Sequence, residues 1–299
     1  MIGKDLYYNI ADLQLEVVLP CEWDDARMLP TFAPFKAEQG TAVTSCSMYI
    51  STIDLDFDET SAKLLSDISI VWGDRFTFYE TEEYYWTLIQ YSADKSKHFK
   101  MRSAKDFRFN TVYFGDFDES KNSFLSWYCM VAFAQSALVH KCIMVHASVV
   151  VNNKIGYAFL GKSGTGKSTH SKLWVNHIPG FTLLNDDNPA VRIINNEVRV
   201  YGTPWSGKTK CYINDSKPLK GLVRLKQYSE NIFTSLKNKD ALIAILPSCS
   251  AIRWNLNLYN TLVNILIELL SMVSVGELKC LPNETAAQLC YTELKKLNI

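Results

Sequence analysis

A chain of 299 residues is long enough for two domains, each with its own core. Its 31 Lys and Arg residues are matched by 31 Asp and Glu, so it lacks the basic excess with which nucleic-acid binders hold phosphate backbones. Hydrophobic residues at 47% and charged residues at 21% exclude a disordered chain and fit an ordinary globular one.

The N-terminus carries Lys4, Asp5 and Asn9 where a signal peptide has an apolar block. The longest apolar stretches, Tyr128 to Val139 and Asn264 to Val275, are interrupted by Gln135 and Glu268 and are short for a membrane span. Eight cysteines form no Cys-x-x-Cys pair and no zinc spacing, which reads as buried free thiols in a reducing compartment. The expectation is a cytoplasmic protein with neither membrane nor nucleic acid among its partners.

The first third is β-rich. Leu13–Leu19, Ser47–Leu55, Arg75–Tyr79, Tyr84–Tyr91 and Phe107–Phe114 are rich in aromatic and β-branched residues and predict short strands of an antiparallel sheet or sandwich. A polar segment at 118–123 then separates a β-rich N-terminal domain, residues 1–120, from the remainder, residues 121–299. Apolar residues at helical spacing predict a helix from Phe124 to Val139. Ile143–Val151 and Ile155–Leu160 predict strands around an Asn152–Lys154 turn. Ser168–Ile178 predicts a helix, Phe181–Leu184 a strand, and Tyr259–Val273 and Glu284–Leu297 further helices.

Between the Leu160 strand end and that first helix lies Gly161-Lys162-Ser163-Gly164-Thr165-Gly166-Lys167-Ser168, followed by Thr169. It fits G-x-x-x-x-G-K-[ST] at every fixed position. Its glycines allow successive backbone amides to turn inward toward phosphate oxygens. Lys167 is placed for the β- and γ-phosphates and the Ser168 hydroxyl for Mg²⁺, while the helix N-terminus faces the anion. The motif points to a nucleoside triphosphate, ATP with Mg²⁺.

Such a loop needs a carboxylate to orient the metal and, in a kinase, a base for the acceptor proton. Asp186 and Asp187 follow the next strand, at its carboxyl end in a parallel α/β sheet, where ligands bind. One would orient Mg²⁺ and the other take a hydroxyl proton; Asn185-Asp186-Asp187-Asn188 is equally good turn chemistry. His146, in an otherwise apolar strand, reads by position alone as a core residue.

Taken together, His146-Ala-Ser-Val-Val, the Gly161–Thr169 loop and Leu184-Asn-Asp-Asp187 resemble the catalytic domain of the bacterial HPr serine kinase/phosphorylases. The ATP-dependent phosphoenolpyruvate carboxykinases share this P-loop type. The resemblance spans roughly the last 160 residues. It implies an α/β P-loop catalytic domain of HPr-kinase/carboxykinase type behind the β-rich N-terminal domain. By resemblance Asp187 is the general base, Ser168 and Asp186 meet the metal, and His146 faces the reacting phosphates. Arg199 stands where the kinases carry a metal-binding Glu, which weakens the inference of phosphorolysis and of HPr as acceptor. Gly202-Thr-Pro-Trp-Ser-Gly207 is similar instead to HPr-kinase-related proteins, some of which phosphorylate peptides. Gly202, Thr203, Trp205 and Lys208 become candidate substrate contacts, although Gly-Thr-Pro-Trp also suits a tight turn over a packed Trp205.

The resulting expectation is a Mg²⁺-ATP-dependent kinase acting on a hydroxyl, a Ser of a protein or peptide. The N-terminal domain would supply acceptor recognition or homo-oligomer contacts. Two alternatives stand beside it: a small-molecule kinase or carboxykinase-like enzyme, and a non-catalytic ATP sensor.

Overall fold

In Leu13–Pro20 every odd-numbered residue is apolar. In the computed structural model Leu13, Leu15, Val17 and Leu19 all lie wholly buried on one face of a sheet, as period-two alternation requires. The structure describes residues 3–71, 74–90, 98–114, 122–207, 209–250 and 252–297. The chain divides into two units, residues 1–137 and 138–299.

The first unit contains β1 (Gly3–Ile10), β2 (Leu13–Pro20), a one-turn α1 (Asp25–Met28), β3 (Lys36–Ala37), β4 (Val43–Ser51), β5 (Lys63–Val71), β6 (Asp74–Glu80), β7 (Tyr84–Gln90), β8 (His98–Ala104), β9 (Phe109–Tyr113) and α2 (Asn122–Ser136). Its nine strands form one sheet in the order β3-β1-β2-β4-β9-β8-β7-β6-β5. The β2–β4 and β4–β9 neighbours run parallel, and β5 to β9 pair as an antiparallel meander. Helix α2 packs aromatic side chains on this sheet: Trp127 lies 4.3 Å from Phe76 and Phe124 5.3 Å from Phe99, between ring centroids. The Tyr128 hydroxyl donates to the carbonyls of Thr87 and Phe99. This packing puts α2 in the first unit, which ends at Ala137. Residues 118–121 of the expected linker lie outside the described residues.

The second unit contains β10 (Cys142–Met144), β11 (Ala147–Val151), β12 (Gly156–Leu160), α3 (Lys167–His177), β13 (Thr182–Asp187), β14 (Ala190–Ile194), β15 (Glu197–Tyr201), β16 (Ser216–Gln227), β17 (Ile232–Leu236), α4 (Asn238–Ile245), α5 (Leu256–Leu270), β18 (Ser274–Cys280) and α6 (Glu284–Leu297). The 12-residue β16 joins two half-sheets. Its first residues pair with β15, which continues to β14 and β10. Its remainder runs parallel to β12 on one side and to β18 on the other. The second half-sheet therefore reads β13-β11-β12-β16-β18-β17.

Helices cover both faces of that half-sheet. On one, Trp174 of α3 and Ala287, Cys290 and Leu294 of α6 pack against Tyr157, Phe159, Val223 and Leu225. On the other, Ala244 and Ile245 of α4 and Leu262, Ile265 and Leu266 of α5 pack against Ala147, Leu160, Leu184 and Leu222. The unit is mixed α/β, as expected, but the sheet is not purely parallel: β11 runs against both β12 and β13. The apolar stretch at 143–151, read as one strand, is two. β10 pairs with β14, β11 with β12 and β13, and the break falls at Val145-His146.

No helix among the described residues is long and apolar enough to cross a membrane. All eight cysteines are free thiols.

Candidate functional site

Since β11 runs against both its neighbours, β12 and β13 point the same way. The carboxyl ends of β12, β13, β16 and β18 thus meet at one edge of the sheet, where the antiparallel β11 begins. Each of the strongest sequence candidates lies at that edge.

Gly161 to Thr169 makes the connection from the end of β12 into α3. Gly166 precedes the helix with φ 99°, a left-handed conformation that a side chain resists. No side chain caps α3, so its first-turn amides remain available at the edge. A Cβ on Gly161 would lie 2.6 Å from the Thr165 hydroxyl, so the loop can close only around a glycine. Thr165 fastens the turn, its hydroxyl donating to the Lys162 carbonyl at 2.7 Å. Gln227 braces the outside, its amide donating to the Gly164 carbonyl at 3.2 Å. Lys162, Ser163, Gly164, Ser168 and Thr169 are exposed.

Lys167 behaves differently. Its side chain is buried and folds back so that Nζ donates to the Gly161 carbonyl at 3.2 Å. Burial lowers its pKa, and the nearby charges of Asp187 and Asp186 oppose that shift. The cation of the loop and the two carboxylates of β13 therefore share one electrostatic environment.

Asp186 and Asp187 are the last two residues of β13, not residues of a turn beyond it. Pairing explains the difference: Ser148 lies opposite Asp186 and Ala147 opposite Asp187, so β11 carries the strand through the polar residues. Asp186 is buried, and behind it Ser171 of α3 donates to Ser148 at 2.6 Å. Asp187 is about 38% exposed and has both oxygens engaged. Its Oδ1 lies 3.0 Å from His146 Nε2, and its Oδ2 accepts from the Asn188 side chain at 2.8 Å. His146 is not a core residue: it is about 40% exposed, and its backbone amide donates to Ser248.

The Gly202–Gly207 segment folds against the end of β13. The Gly207 amide donates to the Asp186 carbonyl at 2.6 Å, and Ser206 bridges to Asp187. Thr203 is wholly buried; its hydroxyl donates to the Asn188 carbonyl and accepts from the Asn185 amide. Trp205 is buried, and a Cβ on Gly202 would run into the Ile213 carbonyl. These three residues face inward and fix where the carboxylates sit. Lys208 lies outside the described residues. Arg199 pairs with Glu197 at 2.7 Å and reaches Ser216 within the other half-sheet.

The oxygen donors at the edge suit a hard cation: the exposed Ser168 hydroxyl and the carboxylates of Asp186 and Asp187. Among the described residues no group of three His, Cys, Asp or Glu forms a cage for a metal held by protein alone. That donor chemistry matches Mg²⁺, which takes one or two carboxylates and completes its shell with water and phosphate oxygens. Two features of the site carry no local sequence signal, namely the His146–Asp187 pair and the approach of β16 to the loop.

No protein-family model matches the chain, and no curated protein matches it. Among solved structures, the chain has a match to the HPr(Ser) kinase/phosphatase from Coxiella burnetii at 12% identity, with a TM-score of 0.32. That match covers 52% of this chain and 89% of the other.

Proposed function

We propose that the second unit is a Mg²⁺-ATP-dependent phosphotransferase that moves the γ-phosphoryl group to a hydroxyl, a Ser of a protein or peptide. The observation that carries this reading is the meeting of a Gly-rich strand–loop–helix, a buried Lys167 and a His146-paired Asp187 at one sheet edge.

In this reading the amides of Gly161–Ser168 and the Lys167 ammonium hold the phosphates and offset charge that builds on the leaving oxygen. Ser168 and Asp186 would hold Mg²⁺, which would supply Lewis-acid neutralisation of phosphate charge. Asp187 receives the proton of the acceptor hydroxyl as the new P–O bond forms and the bond to the β-phosphate oxygen breaks, releasing ADP. His146 and Asn188 keep the carboxylate turned, so it meets the hydroxyl without first losing rotational freedom.

Calorimetry with ATP and Mg²⁺, together with ADP release on Ser-containing peptides, tests the reading. Lys167→Ala is expected to weaken ATP binding by about 100-fold, the worth of a strong charged contact. Asp187→Asn is expected to leave ATP affinity within a few-fold and to cut turnover by about 10²-fold or more. Unchanged ATP binding in Lys167→Ala would sink the reading. Binding without turnover on any acceptor would favour an ATP sensor, and turnover only on metabolites a small-molecule kinase.

A further inference from the structure

Strand pairing places five residues in one row across the sheet. Asp187 of β13 lies opposite Ala147 of β11, Ala147 opposite Leu160 of β12, Leu160 opposite Arg224 of β16, and Arg224 opposite Glu277 of β18. Directly paired residues project to the same face. Ala147 and Leu160 identify that face as the one covered by α4 and α5. Leu160 is also the residue from which the Gly-rich loop departs. The row therefore sets a carboxylate on one side of the loop and a guanidinium on the other, with only Ala147 and Leu160 between them.

Arg224 has no use within the described fold. It is half-buried in a strand whose neighbouring residues Val223 and Leu225 are fully packed. The acid paired with it in register, Glu277, is taken by Lys226, whose Nζ lies 2.8 Å from Glu277 Oε2. Lys279, the next cation on that face, lies over the Tyr228 ring. Among the described residues no hydrogen bond or ion pair engages the Arg224 guanidinium. A half-buried cation with no hydrogen-bonded partner loses hydration that the cross-strand charge of Glu277, already held by Lys226, offsets only in part.

From this placement we propose that Arg224 grips the γ-phosphate of the bound nucleotide from the side opposite Asp187. The proposal rests on the nucleotide reading above and adds to it a residue and a direction. Three strand spacings separate the two Cα atoms by roughly 14 Å. An arginine reaches about half of that, so a terminal phosphate and an incoming hydroxyl fit between the two side chains. The planar fork of a guanidinium matches two phosphate oxygens at once, which an ammonium does not.

The experiment compares ATP with ADP, each with Mg²⁺, by calorimetry on the full chain. Arg224→Gln is expected to weaken ATP by roughly tenfold or more and ADP by less than about twofold. Arg224→Lys is expected to recover only part of the ATP affinity. Thermal unfolding of each variant within about 2 °C of the parent separates a lost contact from a lost fold. An equal loss for ATP and ADP, or no loss for either, overturns the role of Arg224 while the nucleotide reading stands, provided Lys167→Ala still weakens ATP binding by about 100-fold. If the parent chain binds neither nucleotide, both readings fall. A destabilised Arg224→Gln with intact ATP preference also overturns it, since the arginine would then be structural.

Discussion

The two sheets of this chain use the same geometry to different ends. Each gathers parallel carboxyl ends at one edge: β2, β4 and β9 in the first, and β12, β13, β16 and β18 in the second. In the first unit those strands end at Pro20, Ser51 and Tyr113. Its charges are largely matched within the fold: Lys4 and Lys36 on Asp25, Lys100 on Asp54, Lys105 on Glu80. In the second unit the strands end at a Gly-rich loop and two carboxylates, and among the described residues no ion pair or hydrogen bond engages the Arg224 guanidinium. Parallel pairing supplies a place for a ligand; chemistry follows only where the residues at the strand ends are left with something to bind.

The comparison can be broken most forcefully at Gly202. Its substitution by Ala sets a side chain against the Ile213 carbonyl, where backbone must move. About 3 kcal/mol of destabilisation is expected, read by denaturant unfolding. Peptide-resolved hydrogen exchange should place the loosening at the end of β13. A neutral Gly202→Ala would mean that the segment does not position the carboxylates.

The next effect is a pH response within the second unit. His170 of α3 is buried edge-on to Phe159 and accepts a hydrogen bond from the Trp174 indole. Burial pushes its pKa down to about 4. The unfolded chain takes up this proton near pH 6.5 and the folded chain does not. Stability from this group is therefore complete above about pH 6.5 and falls as pH drops toward 4, by about 3 kcal/mol. His170→Gln, which keeps an acceptor for Trp174, should flatten that slope in pH-dependent unfolding.

The first unit offers a smaller and differently placed response. Lys36 and Lys4 hold the Asp25 carboxyl down to about 2. That stabilisation is present above about pH 4 and lost as pH falls toward 2, the same direction as for His170 but in a lower pH window. With both lysines well exposed, solvent screening limits it to about 1 kcal/mol. Asp25→Asn should therefore differ from the parent at pH 6 and match it near pH 2 in thermal melts. Tyr128→Phe, which removes the hydroxyl bonded to Thr87 and Phe99, should cost about 1 kcal/mol at any pH between these limits.

What the sequence disclosed follows the range of the forces involved. The amphipathic α6 was legible to the residue because helical periodicity is local, and α3 to within one because the Gly-rich loop before it and Pro179-Gly180 after it bound it. The loop was legible because its glycines answer a backbone demand within eight residues. The path of β13 through Asn185, Asp186 and Asp187 was not, since those residues favour turns and only pairing with β11 overrides them. The split of 143–151 was hidden by unbroken apolar character. His146 beside Asp187 and Arg224 beside Leu160 depend on strand register across the sheet, which leaves no mark in either segment alone.

The reversed strand β11 also has a consequence for handling the molecule. It closes on β12 through a tight return in which the Asn152 side chain accepts from the amides of Lys154 and Ile155. Five residues of strand hold that return roughly 15 Å from the edge where His146 begins and Gly161 departs. Extra chain spliced between Asn153 and Lys154, both exposed, would leave the sheet at the end remote from Lys167 and Asp187. The hairpin is thus a built-in attachment point for a fluorophore, an affinity tag or a surface tether that leaves the Gly-rich loop untouched.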